Sequence, residues 1–345
     1  MNPFALRLGM DLPIIQAPMA GSQGSALAVA VSNAGGLGSL PCATLGLEAI
    51  RGALAEIKAA TAKPINVNFF CHVQLPPDPE REAKWKTALD PYYREFDIDP
   101  DTIAASPGRM PFDAAAAVLM EEFRPAMVSF HFGLPSPDLI ARVRAIGAVV
   151  LSSATTVDEA VWLEAHGADA IIAQGNEAGG HRGFFLSEDL TTQVGTMALL
   201  PQIVKRVGIP VIAAGGIADA AGVAAALRLG ASAVQVGTSY LLCPEATTSV
   251  VHRAALAGPD AGHTALTNVF TGRPARSILN RLMRELGPLS SEVPRFPLAT
   301  SAILPLRAKA EAAHSGDFSP LWCGQNATGC RAVPAAQLTR ELAGV

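Results

Sequence analysis

At 345 residues the chain exceeds the roughly 250 of an ordinary eight-stranded α/β barrel and falls short of two domains of ~200 each, so one large core with additions is expected. Its residues are 50% hydrophobic and only 16% charged, which excludes disorder and coiled coils, and its net charge of −4 leaves no basic excess for nucleic acid or an anionic membrane surface. Cys42, Cys71, Cys243, Cys323 and Cys330 form no C-x-x-C pair, and no window reaches the ~18 uninterrupted apolar residues of a membrane span; a cytoplasmic protein without disulfides, structural zinc or membrane partner is expected.

The first ten residues, Met1–Met10, lack the apolar core of a signal peptide. From Pro13 to Thr238 short apolar runs alternate with Ala-rich stretches of helical period, the pattern of βαβ units around a parallel sheet. Strands are expected at Pro13–Pro18, Leu37–Pro41 and Ile65–Phe70, separated by helices at Ser25–Asn33 and Leu47–Ala60. Residues 72–111 then break the pattern with Pro76, Pro77, Pro79, the charged run Glu80–Lys86, Pro91, Pro100, Pro107 and Pro111. They are expected to form an insertion at the carboxyl end of strand three, either covering the site or decorating the surface. The remaining strands are expected at Met127–Phe132, Ala148–Ser153, Ala170–Gln174, Pro210–Ala214 and Ala233–Val236, with a helix at Thr156–His166.

Eight such strands suggest closure into a (β/α)8 TIM barrel made of residues 1–71 and 112–238. The competing doubly wound sheet lacks its G-x-G-x-x-G turn, since Pro18 is followed by Met19-Ala20-Gly21-Ser22-Gln23-Gly24. Residues 239–345, with Pro294, Pro297 and Pro305 between helical patterns, are expected to form a C-terminal helical lid or subdomain.

Chemistry is expected at the strand ends. Gly215-Gly216 after the seventh strand and Gln235-Val236-Gly237-Thr238 after the eighth stand where barrels hold a phosphate on main-chain N–H groups. After the sixth, Gln174-Gly175-Asn176-Glu177-Ala178-Gly179-Gly180-His181-Arg182-Gly183 brings a histidine to the barrel mouth among four glycines. There an imidazole serves as a base or an anion stabiliser, or as a hydrogen-bonding scaffold. Asn66 and Asn68 share a face at the third strand, as site amides or as buried loop caps. His131 ends the fourth strand, for ligand or for packing; Gln16 and Met19 end the first, where they meet a flat ring or the core. No G-x-S-x-G, H-E-x-x-H or Walker motif is present, which leaves a cofactor with a phosphate and a flat ring.

Together, Gln16-Ala17-Pro18-Met19, Asn66-Val67-Asn68, Ser129-Phe130-His131-Phe132-Gly133, the Gln174–Gly183 loop, Ala214-Gly215-Gly216-Ile217 and Gln235-Val236-Gly237-Thr238 strongly resemble the nitronate monooxygenases, once called 2-nitropropane dioxygenases. The resemblance runs in unbroken order from Pro13 to Thr238 and more loosely toward Gln325. It implies a TIM barrel with non-covalent FMN contacted by Met19, Asn68, Gln174, Gly179, Gly216, Gln235, Val236, Gly237 and Thr238. It also implies oxidation of alkyl nitronates by O₂ to a carbonyl compound and nitrite, with His181 as the active-site histidine and His131 and Thr300 as candidates at the substrate. Family members often carry a Tyr and, four residues on, a Lys where this chain has Thr300 and Leu304, and an aliphatic residue in place of Asn176. The same fold and His-bearing loop also resemble FMN-dependent enoyl-acyl-carrier-protein and NAD(P)H:quinone reductases, so a nicotinamide-driven reductase is the alternative. Gln16-Ala17-Pro18-Met19, in place of a Gln-Gly-Gly-Met version, favours the monooxygenase.

Overall fold

The computed structural model describes residues 3–104 and 108–345; Met1, Asn2 and residues 105–107, including Pro107 of the proline-rich excursion, lie outside the described residues. In chain order the strands are β1 (Ile14–Gln16), β2 (Gly38–Pro41), β3 (Ile65–Phe70), β4 (Met127–His131), β5 (Val149–Ala154), β6 (Ala170–Gln174), β7 (Gly180–His181), β8 (Val211–Ala214), β9 (Ala233–Val236), β10 (Thr264–Thr267) and β11 (Ala275–Ile278). The eight expected from the apolar runs are β1 to β6, β8 and β9, each within two residues of its expected ends. They form one parallel sheet in the order β1-β9-β8-β6-β5-β4-β3-β2. The ring closes between β1 and β2, where Leu37 N donates to Ile14 O and Gln16 N donates to Leu37 O, both at 2.9 Å. The fold is therefore a (β/α)8 barrel.

Every strand of such a barrel is buried on both faces, which is why each reads as a continuous apolar run. Inside, Ile15, Leu37, Met127, Leu151, Ile172 and Ile212 pack with Phe4, Leu8 and Met10, so the N-terminal helix Pro3–Arg7 and the turn after it stopper the amino end of the barrel. The carboxyl end is left for the site. No helix among the described residues is long and apolar enough to cross a membrane.

Residues from the proline-rich excursion and from the tail build a core of their own. The excursion folds as a helix, Pro79–Glu95, N-capped by Asp78, which accepts from Arg81 N. Its Trp85, Leu89, Tyr92 and Tyr93 pack against Phe270, Leu282, Ile303, Leu306 and Phe318 of the tail. Tyr93 Oη donates to Ala302 O at 2.7 Å across that seam, inside the helix Thr300–Ala312. Tyr93→Phe keeps the ring and deletes the bond, and is expected to lower stability by about 1 kcal/mol, read from urea midpoints.

The tail then returns to the barrel. The helix Ala335–Ala343 packs against the helices Ser25–Asn33 and Ala220–Arg228, and Tyr240 Oη and Thr339 Oγ1 lie 2.9 Å apart. Its buried Ala335, Leu338, Thr339 and Leu342 recur at three and four residues, the spacing of one helical face. That spacing is legible in sequence, but nothing in it tells which core the face joins.

Candidate functional site

A cavity at the carboxyl end is lined by residues in or just after β1, β3, β4, β5, β6, β8 and β9, and its geometry centres on His181. Strand β7 is only two residues long because it is held from outside the barrel: it pairs antiparallel with β11, Ala275 opposite His181 and Arg276 opposite Gly180, and β11 pairs in turn with β10. From the barrel side, the His181 carbonyl accepts from Gln174 Nε2 at 3.0 Å and from His131 Nε2 at 3.1 Å. Gln174 Oε1 also accepts from Gly183 N at 2.8 Å, so one amide spans the loop. Since His131 Nε2 must carry the proton it donates, His131 Nδ1 accepts from Ser153 Oγ at 3.0 Å.

The His181 ring is fixed by Thr271, whose Oγ1 lies 2.9 Å from Nε2, and by Phe70, Phe132, Phe296 and Trp322, with ring centroids 5.4–6.1 Å away. Its Nδ1 has no protein partner among the described residues. Burial, reinforced by the charge of Arg109, holds the imidazole well below its ordinary pKa, so it is neutral at pH 7. His131 is held down to about 3, again mainly by burial. The Thr271 hydroxyl can accept from His181 Nε2–H while donating to Arg273 O at 3.3 Å, or donate to Nε2. His181 Nδ1 is a bare lone pair in the first arrangement and an N–H donor in the second.

Beside this histidine the glycine loops form a cradle. Gly216 has φ +70°, and a Cβ there would come within 3.0 Å of Glu177 Cβ. At Gly179 a Cβ would fall 2.6 Å from Gly324 N, because a strap from the tail crosses there. The strap is tied down by Gly324 N to Thr238 Oγ1 and Asn326 Nδ2 to Gly216 O, both at 3.0 Å, and by Gln325 N to Glu177 O at 2.9 Å. Gln235 Oε1, on the cavity wall, is a buried acceptor with no hydrogen-bond partner. An unpaired buried acceptor is costly and suits the N–H of a planar ring.

His252 braces the strap from behind, its Nε2 donating to Trp322 O at 3.1 Å, and burial lowers its pKa to about 4. Between about 4 and the unfolded value near 6.5, the unfolded chain holds a proton that the folded one lacks, so stability falls as pH falls. The contribution approaches about 1.4 kcal/mol per pH unit. Urea midpoints measured from pH 7 to 4 are expected to decline, and His252→Gln, which keeps a donor, is expected to flatten part of that decline.

Met19, Asn68, His131, Gln174, Gly179, His181, Gly216, Gln235, Gly237 and Thr238 all line this cavity. Val236, Thr300, Gln16 and Asn66 do not. Val236 is buried in the core outside the strands, because its neighbour Gln235 takes the inward position and side chains alternate. Thr300 opens the helix Thr300–Ala312, where its Oγ1 donates to Phe270 O at 3.3 Å, and Leu304 is 48% exposed. Gln16 meets no ring; it is fully buried, with Nε2 donating to Gln23 Oε1 at 2.6 Å and Oε1 accepting from Ser39 N at 3.0 Å. Asn66 lies deeper than Asn68 and donates to Ser39 Oγ, while Asn68 Nδ2 donates to Ser129 Oγ at 2.9 Å. Asn176 accepts from Arg276 through its carbonyl, at 2.9 Å, and through its Oδ1, at 3.3 Å.

The sequence reading did not single out Phe70, Arg109, Ser153, Trp322, Gly324 or Asn326 as site residues, yet all line the cavity. Phe70 and Ser153 stood at the ends of expected strands; Arg109 carried no signal, since it comes from a proline-rich excursion without periodicity.

The family model described as nitronate monooxygenase matches residues 5–344. The nitronate monooxygenase of Pseudomonas aeruginosa is 44% identical over 98% of this chain and 97% of its own length; that of Paraburkholderia phytofirmans is 44% identical over 97% and 92%. Among solved structures, nitroalkane oxidase from Streptomyces ansochromogenes superposes with a TM-score of 0.88 at 38% identity, covering 99% of this chain and 97% of that one. FabK from Thermotoga maritima superposes at 0.74 with 27% identity, covering 99% and 94%.

Proposed function

This chain belongs to the nitronate monooxygenase family, and from that premise we propose that it oxidises alkyl nitronates with O₂ to a carbonyl compound and nitrite, using FMN and His181. The observation that most supports this reading is a neutral histidine with one uncommitted ring nitrogen, set in an aromatic wall beside a glycine cradle.

The residues present fit the cofactor. Gln235 offers its unpaired Oε1, Met19 and Asn68 would border the ring, and Gln174 keeps one amide hydrogen beyond its loop bonds. Main-chain groups of Gly179, Gly216, Gly237 and Thr238 would hold the remainder. When bound, FMN supplies the two-electron acceptor and the reactivity toward O₂ that no side chain here provides. His181 works on the substrate: as an Nδ1–H donor it orients a nitronate anion, and as a bare Nδ1 it takes the α-proton of a neutral nitroalkane. His131 acts through the His181 carbonyl it holds, and Thr300 has no place in this assignment. We assign residues 72–111 and the part of 239–345 that packs with them to a lid over the mouth, and the reaction to the cytoplasm.

The test is anaerobic mixing of the purified yellow protein with ethyl nitronate in one arm and NADH or NADPH in the other. Nitronate is expected to bleach the flavin band and NAD(P)H to leave it. The opposite pattern would replace this reading by the reductase alternative, for which the likeness to FabK is the more distant one.

A further inference from the structure

We infer that Arg109 is the substrate-anion receptor of this site: its guanidinium, held over Phe70 and Phe296, binds the two oxygens of a small planar monoanion beside His181. This rests on the nitronate reading above and names a charge that the reading does not supply.

Arg109 is the only Lys, Arg, Asp or Glu side chain lining the cavity among the described residues. Both histidines on the wall are neutral, so His181 can orient an anion but cannot balance its charge. The Arg109 guanidinium carbon stands 5.8 Å from the ring centroid of Phe70 and 5.5 Å from that of Phe296. The His181 ring borders the same two phenylalanines, at 6.1 and 5.4 Å. Cation and imidazole thus share one aromatic floor, and an anion placed between them is reached from both sides.

No carboxylate pairs with Arg109 among the described residues, whereas the surface arginines Arg51, Arg142, Arg281 and Arg331 each have one. Its main chain is pinned instead, with Arg109 O accepting from His72 Nε2 at 2.9 Å. A cation held over aromatic faces without a counter-ion is stabilised by an incoming anion more than a solvated one is. Burial lowers its pKa only to about 10, which leaves it charged at neutral pH. The guanidinium fork matches two oxygens borne on one planar atom, as in a nitronate, in nitrite and in a carboxylate. A neutral nitroalkane gains less from it.

The test compares the FMN-loaded wild type with Arg109→Met and Arg109→Lys. Arg109→Met is expected to raise KM for ethyl nitronate about 10- to 100-fold, the value of a hydrogen-bonded charge, with kcat changed less. Arg109→Lys is expected to recover part of that loss. Nitrite, titrated anaerobically while the flavin spectrum is followed, is expected to bind the wild type and to bind Arg109→Met at least ten-fold more weakly. Retained flavin and far-UV circular dichroism certify the fold of each variant, and Arg109→Gln replaces Arg109→Met if the latter loses either. Nitrite affinity and nitronate KM within two-fold of wild type in the charge-neutral variant would overturn the inference. If the wild type turns over no nitronate, the functional reading fails, and nitrite binding alone then decides whether Arg109 receives anions.

Discussion

His181→Asn is expected to leave the protein folded and yellow while lowering nitronate turnover by about 10²–10³-fold, the value of one lost anion-stabilising donor. The fold should survive because the loop is carried by main-chain and neighbouring groups: the His181 carbonyl with its two donors, the β7–β11 ladder and Arg182. Turnover should not survive, because Asn can replace the bond to Thr271 or the group facing the ligand, but not both. The loss should be larger with a neutral nitroalkane, where a base is needed, than with its preformed nitronate, where Arg109 still supplies charge. Because burial keeps the imidazole neutral, kcat/KM for a nitronate is expected to show no ionisation of His181 between pH 6 and 8. Turnover of the variant within three-fold of wild type would refute the role of His181.

The barrel was legible because parallel strands covered on both faces leave unbroken apolar runs, and β6, whose five residues are all buried, is the plainest example. The glycine loops were legible for a related reason: close main-chain approach at Gly179 excludes a Cβ and the φ of +70° at Gly216 favours glycine, requirements written directly in residue type. What escaped depends on distant parts of the chain meeting. Strands β7, β10 and β11 are short and partly polar, and β7 exists only because β11 arrives from nearly a hundred residues away. Arg109 reaches the cavity by tertiary packing of an aperiodic segment. Val236 shows a finer limit, since a motif matched as a block includes every second residue that the strand turns away from the site.

One buried cation is among the ties of the loop that presents His181, and Arg182→Met is expected to lower stability by about 2–4 kcal/mol and loosen the cofactor. Arg182 is fully buried, and among the described residues no carboxylate forms an ion pair with it. Its Nη1 donates to Gly175 O at 2.6 Å, its Nη2 to Gln174 O at 2.9 Å and its Nε to Gln193 Oε1 at 3.0 Å, while its own N–H donates to Pro274 O at 2.9 Å. It therefore stitches the end of β6 to the segment after β7 and, through Pro274, to β11. Methionine fills similar volume but leaves the Gln174 carbonyl and Gln193 Oε1 without these donors, at about 1–3 kcal/mol each, while Gly175 O keeps its bond from Ala178 N at 3.1 Å. Relief from burying a charge offsets part of that loss; burial already pulls the Arg182 pKa down to about 9. Lysine is a poor substitute, because three acceptors in different directions need a planar fork and an ammonium on a single stem cannot reach them together. Urea midpoints for Arg182→Met and Arg182→Lys should both fall, with flavin released at lower urea than in wild type. An unchanged midpoint in Arg182→Met would mean that the β7–β11 pairing and the bonds from Gln174 and His131 hold the His181 loop without Arg182.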